Sequence, residues 1–288
     1  MIDPPDASGR ARRHFRYNTD IGQNFLKDQS VVDWMIDQAK PQPSDRVLEI
    51  GPGRGILTRG ILSSSCASLD AVEIDTRLKA DLEPIAASDK RLSLHWGDAV
   101  RFDYRSLDPS PTHVIANLPY HITTPLIWRL LESLAGHGTR YMLLMTQHEA
   151  ALRITSGGPG RESCPLGVTI AASGSAALLR RVPRHAFIPV PRVDSSIIEL
   201  KLSVGDGADL RQDLARDVIW RRLLSGSFAR RRRTLANNWA ASFGAAREKT
   251  CEILTAHSIA PLSRSEDLSP DMWLQLRADS DVREMIKV

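Results

Sequence analysis

Residues 46–55 read Arg46-Val47-Leu48-Glu49-Ile50-Gly51-Pro52-Gly53-Arg54-Gly55. A short, mostly apolar run stops at three glycines spaced two apart, and residues 56 to about 64 continue with helical periodicity. The unit is strand, tight loop, helix. Working outward, residues 68–74 form a second apolar run ending at Asp75, with a helical pattern over 76–87. Residues 91–96, 112–116 and 140–145 supply three more strands, and 126–134 another helix. Upstream, 31–39 is helical in period and is closed by Pro41 and Pro43. Short strands alternating with helices predict an α/β, Rossmann-like domain with a mostly parallel sheet covered on both faces. Ligands of such sheets bind at the carboxyl ends of the strands.

The ends of the chain read differently. Residues 1–19 are rich in Pro, Arg and Asp without apolar periodicity, as in a mobile basic arm. After Leu202 the strand pattern stops, Val204 to Gly207 reads as a linker, and helix formers follow. The expected division is an arm (1–19), an α/β domain (20–204) and a small all-α domain (205–288), which suits a chain of 288 residues. The net charge is only +4, but residues 175–240 hold 13 Lys or Arg against 6 Asp or Glu. That excess suits a basic face turned to a polyanion; the competing reading is a solvated, Arg-rich helix face. The three cysteines, Cys66, Cys164 and Cys251, are too widely spaced for a metal knuckle and odd in number for a disulfide framework. They read as buried fillers in a reducing compartment. The N-terminus lacks a secretory h-region, and the uncharged stretch 163–179 is too short and too polar to span a bilayer, so a cytoplasmic, monomeric protein without a metal is expected.

The glycine loop lets a nucleoside-bearing cofactor approach bare backbone. Twenty residues past Gly53, Glu73 ends the second strand, where a carboxylate can accept hydrogen bonds from ribose hydroxyls. Asp98, after the third strand, is placed to meet an adenine ring. A nicotinamide dinucleotide would use the same loop and acid, so these features leave an oxidoreductase open. The fourth strand decides between them. It ends in Asn117-Leu118-Pro119-Tyr120. The amino nitrogen of adenine is a poor nucleophile because its lone pair is delocalised into the ring. An Asn117 side-chain oxygen and a nearby backbone carbonyl that accept its two hydrogens would localise that lone pair, while Tyr120 stacks on the base. Alignment and charge stabilisation then supply the rate, with no strong base and no metal.

These motifs make the chain resemble the KsgA family of ribosomal RNA adenine dimethyltransferases and, more distantly, the Erm macrolide-resistance methyltransferases. The resemblance spans about residues 21–275. It rests on Gly22-Gln23-Asn24-Phe25-Leu26, Glu49 to Gly55, Glu73-Ile74-Asp75, Gly97-Asp98-Ala99, Asn117 to Tyr120, and Ala186-Phe187-Ile188-Pro189-Val190-Pro191-Arg192-Val193-Asp194-Ser195. It implies that Asn24, Leu26, Gly51, Gly53, Glu73, Asp98 and Asn117 contact S-adenosylmethionine. It makes Asn117, Leu118 and Tyr120 the target-base pocket, with Phe187 on the base's other face. It further implies that Arg230, Arg231, Arg232 and Arg233 form part of a basic helix segment that grips ribosomal RNA phosphates.

The chain also departs from the family pattern. Asn18-Thr19-Asp20-Ile21 stands where basic residues are usual, Gln147-His148-Glu149 replaces Gln-Lys-Glu, and Ser163-Cys164-Pro165 replaces Tyr-Gly. The expected activity is transfer of two methyl groups to N6 of adjacent adenosines in small-subunit (16S-type) ribosomal RNA during ribosome assembly. An Erm-type methyltransferase of large-subunit RNA and a non-catalytic RNA-binding assembly factor on the same fold are the alternatives.

Overall fold

A computed structural model describes residues 23–203 and 210–286. The arm 1–19 and the linker Val204 to Gly207 lie outside the described residues. In chain order the α/β part comprises β1 (Phe25–Leu26), α1 (Gln29–Ala39), β2 (Arg46–Ile50), α2 (Ile56–Leu62), β3 (Ser68–Glu73), α3 (Lys79–Ser88), β4 (Leu92–Trp96), β5 (His113–Asn117), α4 (Thr123–Leu134), β6 (Tyr141–Gln147), α5 (His148–Thr155), α6 (Pro165–Ser173), β7 (Gly174–Val182), β8 (Phe187–Ile188) and β9 (Ser195–Leu202). Helices α7 (Leu210–Asp213), α8 (Val218–Ser227), α9 (Leu235–Phe243), α10 (Arg247–Ala256), α11 (Pro270–Ala278) and α12 (Ser280–Ile286) follow.

The seven-stranded sheet has the order β4-β3-β2-β5-β6-β9-β7. Strands β2 to β6 pair in parallel, as the alternating pattern predicts, and β9 and β7 add an antiparallel edge. Side chains alternate between two buried faces. Leu48, Ile50, Val114, Ala116, Met142 and Leu144 enter one core with α4, while Val47, Ile115, Leu143 and Met145 enter the other with α1, α2 and α3. Burial on both faces is why these strands read as nearly continuous apolar runs. The uncharged stretch after residue 163 becomes α6 and the start of β7 rather than one element. Helix α6 is shared: Leu166 and Ile170 join the sheet core, whereas Val168 and Ala172 join a third core with Trp220, Trp239 and Trp273 of the helical part.

Two expectations require correction. The run Arg230 to Arg233 is not helical; it forms the turn between α8 and α9. The reason is local: the Thr234 hydroxyl accepts the Asn237 N–H at 3.4 Å and starts a new helix, so the arginines precede a cap. The cysteines are all free, but only Cys66 is buried; Cys164 caps α6, its sulfur accepting from the Gly167 N–H. Among the described residues no helix is long and apolar enough to cross a membrane.

Candidate active site

Strand order reverses around β2 and β5, and the crevice opens at their carboxyl ends. Sheet hydrogen bonding runs one residue past the strands and sets the site's level. Gly51 N–H donates to Val72 O (2.9 Å), Gly97 N–H to Glu73 O (2.8 Å) and Leu118 N–H to Met145 O (2.9 Å). A cleft of about 680 Å³ results, and Asn24, Leu26, Gly51, Gly53, Glu73, Asn117, Leu118 and Tyr120 all line it. Asp98 lines an adjoining cavity of about 570 Å³ with Gly97 and Ala99, and the two share Gly51, Glu73, Ile74 and Pro119.

The glycine loop is shaped by two positions. Gly51 has φ +66°, and a Cβ there would meet no heavy atom closer than the Asn117 carbonyl at 3.9 Å, so the missing side chain leaves open space in the cleft. Gly53 has φ +57°, and a Cβ there would strike the Phe25 ring at 2.7 Å. Glu73 is held by the same loop. Gly53 N–H donates to its Oε2 at 3.1 Å and Asp75 N–H to its Oε1 at 2.9 Å, which leaves further lone pairs on both oxygens for a ligand. Burial raises its carboxyl above the ordinary range against the pull of those N–H groups. Gln23 donates to Asp75 Oδ2 at 2.6 Å and fastens the N-terminal segment over the end of β3.

At the end of β5, Asn117 Nδ2 donates to the Asn24 carbonyl at 3.3 Å. A carbonyl can only accept, so this bond fixes which end of the amide faces which way. Asn117 Oδ1 is thereby left buried with no hydrogen-bond partner. A buried acceptor without a donor is costly, about 1–3 kcal/mol, and its retention in a cleft marks a place for a ligand N–H. Leu118 is itself buried, with its N–H committed to Met145, so its backbone carbonyl is what it can present. The Pro119 carbonyl already accepts from Ile122 N–H and the Thr123 hydroxyl, both at 3.2 Å. The Tyr120 hydroxyl shares a hydrogen bond of 2.7 Å with Ser195 Oγ, which anchors the ring at the cleft wall.

Phe187 departs from its expected place. It is fully buried and lines neither cavity. Pairing of β8 with β1 puts Phe187 opposite Leu26 and turns its ring into the core with Met35, Val182 and Ile197, while Ile188 points out. Several lining residues carry no role from the sequence, Glu49 and Ile74 among them. Glu49 carries a carboxylate within a largely apolar strand, a pattern that could have singled it out. Ile74 is a large apolar side chain left 52% exposed between the two cavities.

Complete burial pushes the Glu49 carboxyl up to about 8, with only the Thr58 hydroxyl donating to Oε2 (2.7 Å) and Oε1 unpartnered. The folded state therefore holds this proton where the unfolded chain, with a carboxyl near 4.5, releases it. The stabilising contribution is complete below the unfolded value and is lost as pH rises through about 8. Melting temperatures across that window should fall more steeply with pH for wild type than for Glu49→Gln; parallel curves would remove Glu49 as the titrating group.

Among the described residues no cluster of three or more His, Cys, Asp or Glu could hold a metal ion. The family model for ribosomal RNA adenine dimethylases matches residues 14–278. The chain is 35% identical to the ribosomal RNA small subunit methyltransferase A of Rubrobacter xylanophilus, covering 94% of this chain and 97% of that one. It is 36% identical to the protein of the same name from Parasynechococcus marenigrum, over 93% and 86% of the two chains. A dimethyladenosine transferase from Plasmodium falciparum has a similar structure, with TM-score 0.72, 25% identity and coverage of 90% and 98%. The fold is also that of the 23S rRNA methyltransferase ErmE, at TM-score 0.63, 22% identity and coverage of 92% and 100%.

Proposed function

The chain belongs to the ribosomal RNA adenine dimethylase family, and we propose that it transfers two methyl groups in succession to N6 of adjacent adenosines in small-subunit ribosomal RNA during ribosome assembly. It is an S-adenosylmethionine-dependent ribosomal RNA methyltransferase. The observation that carries the proposed chemistry is Asn117 Oδ1, a buried acceptor with no donor, at the strand end that faces the glycine loop.

The cleft fits S-adenosylmethionine on its own chemistry. The bare backbone at Gly51 leaves room that a side chain would fill, Glu73 offers buried carboxylate lone pairs to ribose hydroxyls, and Asp98 stands in the adjoining cavity for the adenine. Asn24, Leu26 and Gly53 complete the wall on the other side. When bound, the cofactor supplies an electrophilic methyl on a sulfonium sulfur.

On the substrate side, Asn117 Oδ1 and the Leu118 carbonyl accept the two N6 hydrogens and draw the nitrogen toward a tetrahedral geometry. Its lone pair then turns out of the ring plane toward the donor. Tyr120, held by Ser195, stacks on the base, which must leave the RNA stack to enter the cleft. Nothing in this arrangement acts as a strong base: the methylated nitrogen is acidic enough to lose its proton to water. We place the cofactor and base pocket in residues 20–204 and assign 205–288 to holding RNA. The substrate is ribosomal RNA within a small subunit or its assembly intermediate, and we propose that the protein meets it in the cytoplasm as a monomer.

Arg230 to Arg233 are all exposed, and Arg231 reaches the Arg161 carbonyl. As a turn of four guanidinium groups they would contact phosphates without reading bases. Replacing all four by Gln should weaken RNA binding and flatten its dependence on salt by about 0.7 in log–log slope per lost contact. An unchanged slope in a filter-binding series would leave the turn as solvated surface.

Calorimetric titration with S-adenosylmethionine tests the catalytic reading against a non-catalytic assembly factor, which would give no heat of binding. The Glu73→Gln variant should bind the donor ~10- to 100-fold more weakly, because hydrogen bonds to a charged group contribute about 1.5–3 kcal/mol. Wild-type affinity in that variant would remove Glu73 from the ribose site.

A further inference from the structure

Just outside the cleft, on the far side of Phe25, Leu26 and Ile56, a second groove of about 810 Å³ runs along the surface. Three of its lining residues are cations, Lys27, Arg54 and Arg59, and among the described residues none of its lining is acidic. Its floor is apolar: the Phe25 ring, under the Arg54 guanidinium at 5.9 Å, and Ile188, which is 43% exposed. Lys27 and Arg59 are exposed, and the Arg59 side chain donates to the Arg54 carbonyl at 3.0 Å, which holds it along the groove. Cations of one sign over an aromatic and aliphatic floor make a binding track for single-stranded nucleic acid, where phosphates meet the charges and a ribose or base lies on the apolar surface.

We propose that this groove carries the RNA strand flanking the target adenosine, with backbone phosphates on Lys27 and Arg59 and the neighbouring nucleotide against Phe25 and Ile188. The inference rests on the RNA methyltransferase reading. Continuity supports it: Phe25, Leu26 and Ile56 line both the groove and the cleft, so a strand whose one base enters the cleft has a path out over this wall. The track is separate from the Arg230 to Arg233 turn, and the two would grip different stretches of the substrate.

The test is steady-state methyl transfer to undermethylated small ribosomal subunits by wild type, the Lys27→Gln/Arg59→Gln double variant and Lys27→Glu, at several salt concentrations. The proposal expects the double variant to raise KM for the RNA substrate ~10-fold and to flatten its salt slope by ~1.4, the value for two lost single-strand phosphate contacts. Lys27→Glu should raise KM as well, with kcat and S-adenosylmethionine affinity kept in both variants. A wild-type KM and slope in the variants, or a fall in kcat at unchanged KM, would overturn the groove while leaving the methyltransferase reading intact. A wild-type protein that transfers no methyl group to RNA would overturn both.

Discussion

Asn117→Ala should bind S-adenosylmethionine within a few-fold of wild type and lose on the order of a hundred- to a thousand-fold in turnover. The magnitude is that of removing one preorganised hydrogen-bonding group from a reacting centre. The asymmetry follows from the geometry. On the proposed reading the donor's ribose and adenine would be met by Glu73, Asp98 and the backbone of the glycine loop, none of which is held by the Asn117 amide. The amide contributes one bond to the Asn24 carbonyl and one buried, unused oxygen. That oxygen does nothing for the resting protein and has value only when an N–H arrives, so its loss falls on kcat. Turnover near the wild-type rate in a folded, donor-binding Asn117→Ala protein would sink the mechanism.

Phe187→Ala should destabilise the fold by about 3–5 kcal/mol, the usual cost of emptying a large aromatic site in a core. The ring is fully buried among Leu26, Met35, Val182 and Ile197, and its strand pairs with β1, whose Leu26 forms part of the cleft wall. Chemical denaturation would read the loss directly. The folded fraction should keep its donor affinity to within the looseness introduced at Leu26, and Phe187→Leu should recover much of the stability. If instead Phe187→Ala melts like wild type while its KM for RNA rises, the ring serves the base and not the core.

The parallel half of the sheet was legible because β2, β3, β5 and β6 are mostly apolar on both faces and each ends at a loop of distinctive chemistry. Gly51, Glu73 and Asn117 stood out for the same reason: a glycine or polar residue at the end of a buried strand has few structural uses, whereas Asp98 follows the half-exposed edge strand β4 and was marked by its place after that strand. The antiparallel edge was not legible. Strand β7 is half exposed and carries Ser175, two alanines and two arginines, so it lacks both the β-branched content and the clean alternation of a strand; its partner β9 supplies the pairing from a distance. Glu49 belongs to the glycine-loop motif, and its place in a largely apolar strand marks it, but its protonation depends on Thr58 and on the sheet around it, neither of which local sequence displays. The Arg230 to Arg233 segment reads as helix because arginine is a good helix former, yet Thr234 breaks the run by capping α9. Phe187 shows the limit of reading a motif: its neighbours Ile188 and Val190 are exposed, and only the register of β8 on β1 decides that Phe187 turns inward.

Dimethylation of adenine N6 in small-subunit ribosomal RNA is tested most directly by incubating the protein and S-adenosylmethionine with unmethylated small and large ribosomal subunits in parallel, and measuring the nucleosides of each RNA by mass spectrometry. N6,N6-dimethyladenosine is expected in the small-subunit RNA alone. Dimethyladenosine confined to the large-subunit RNA, or no methylated adenosine in either despite donor binding, would refute small-subunit dimethylation.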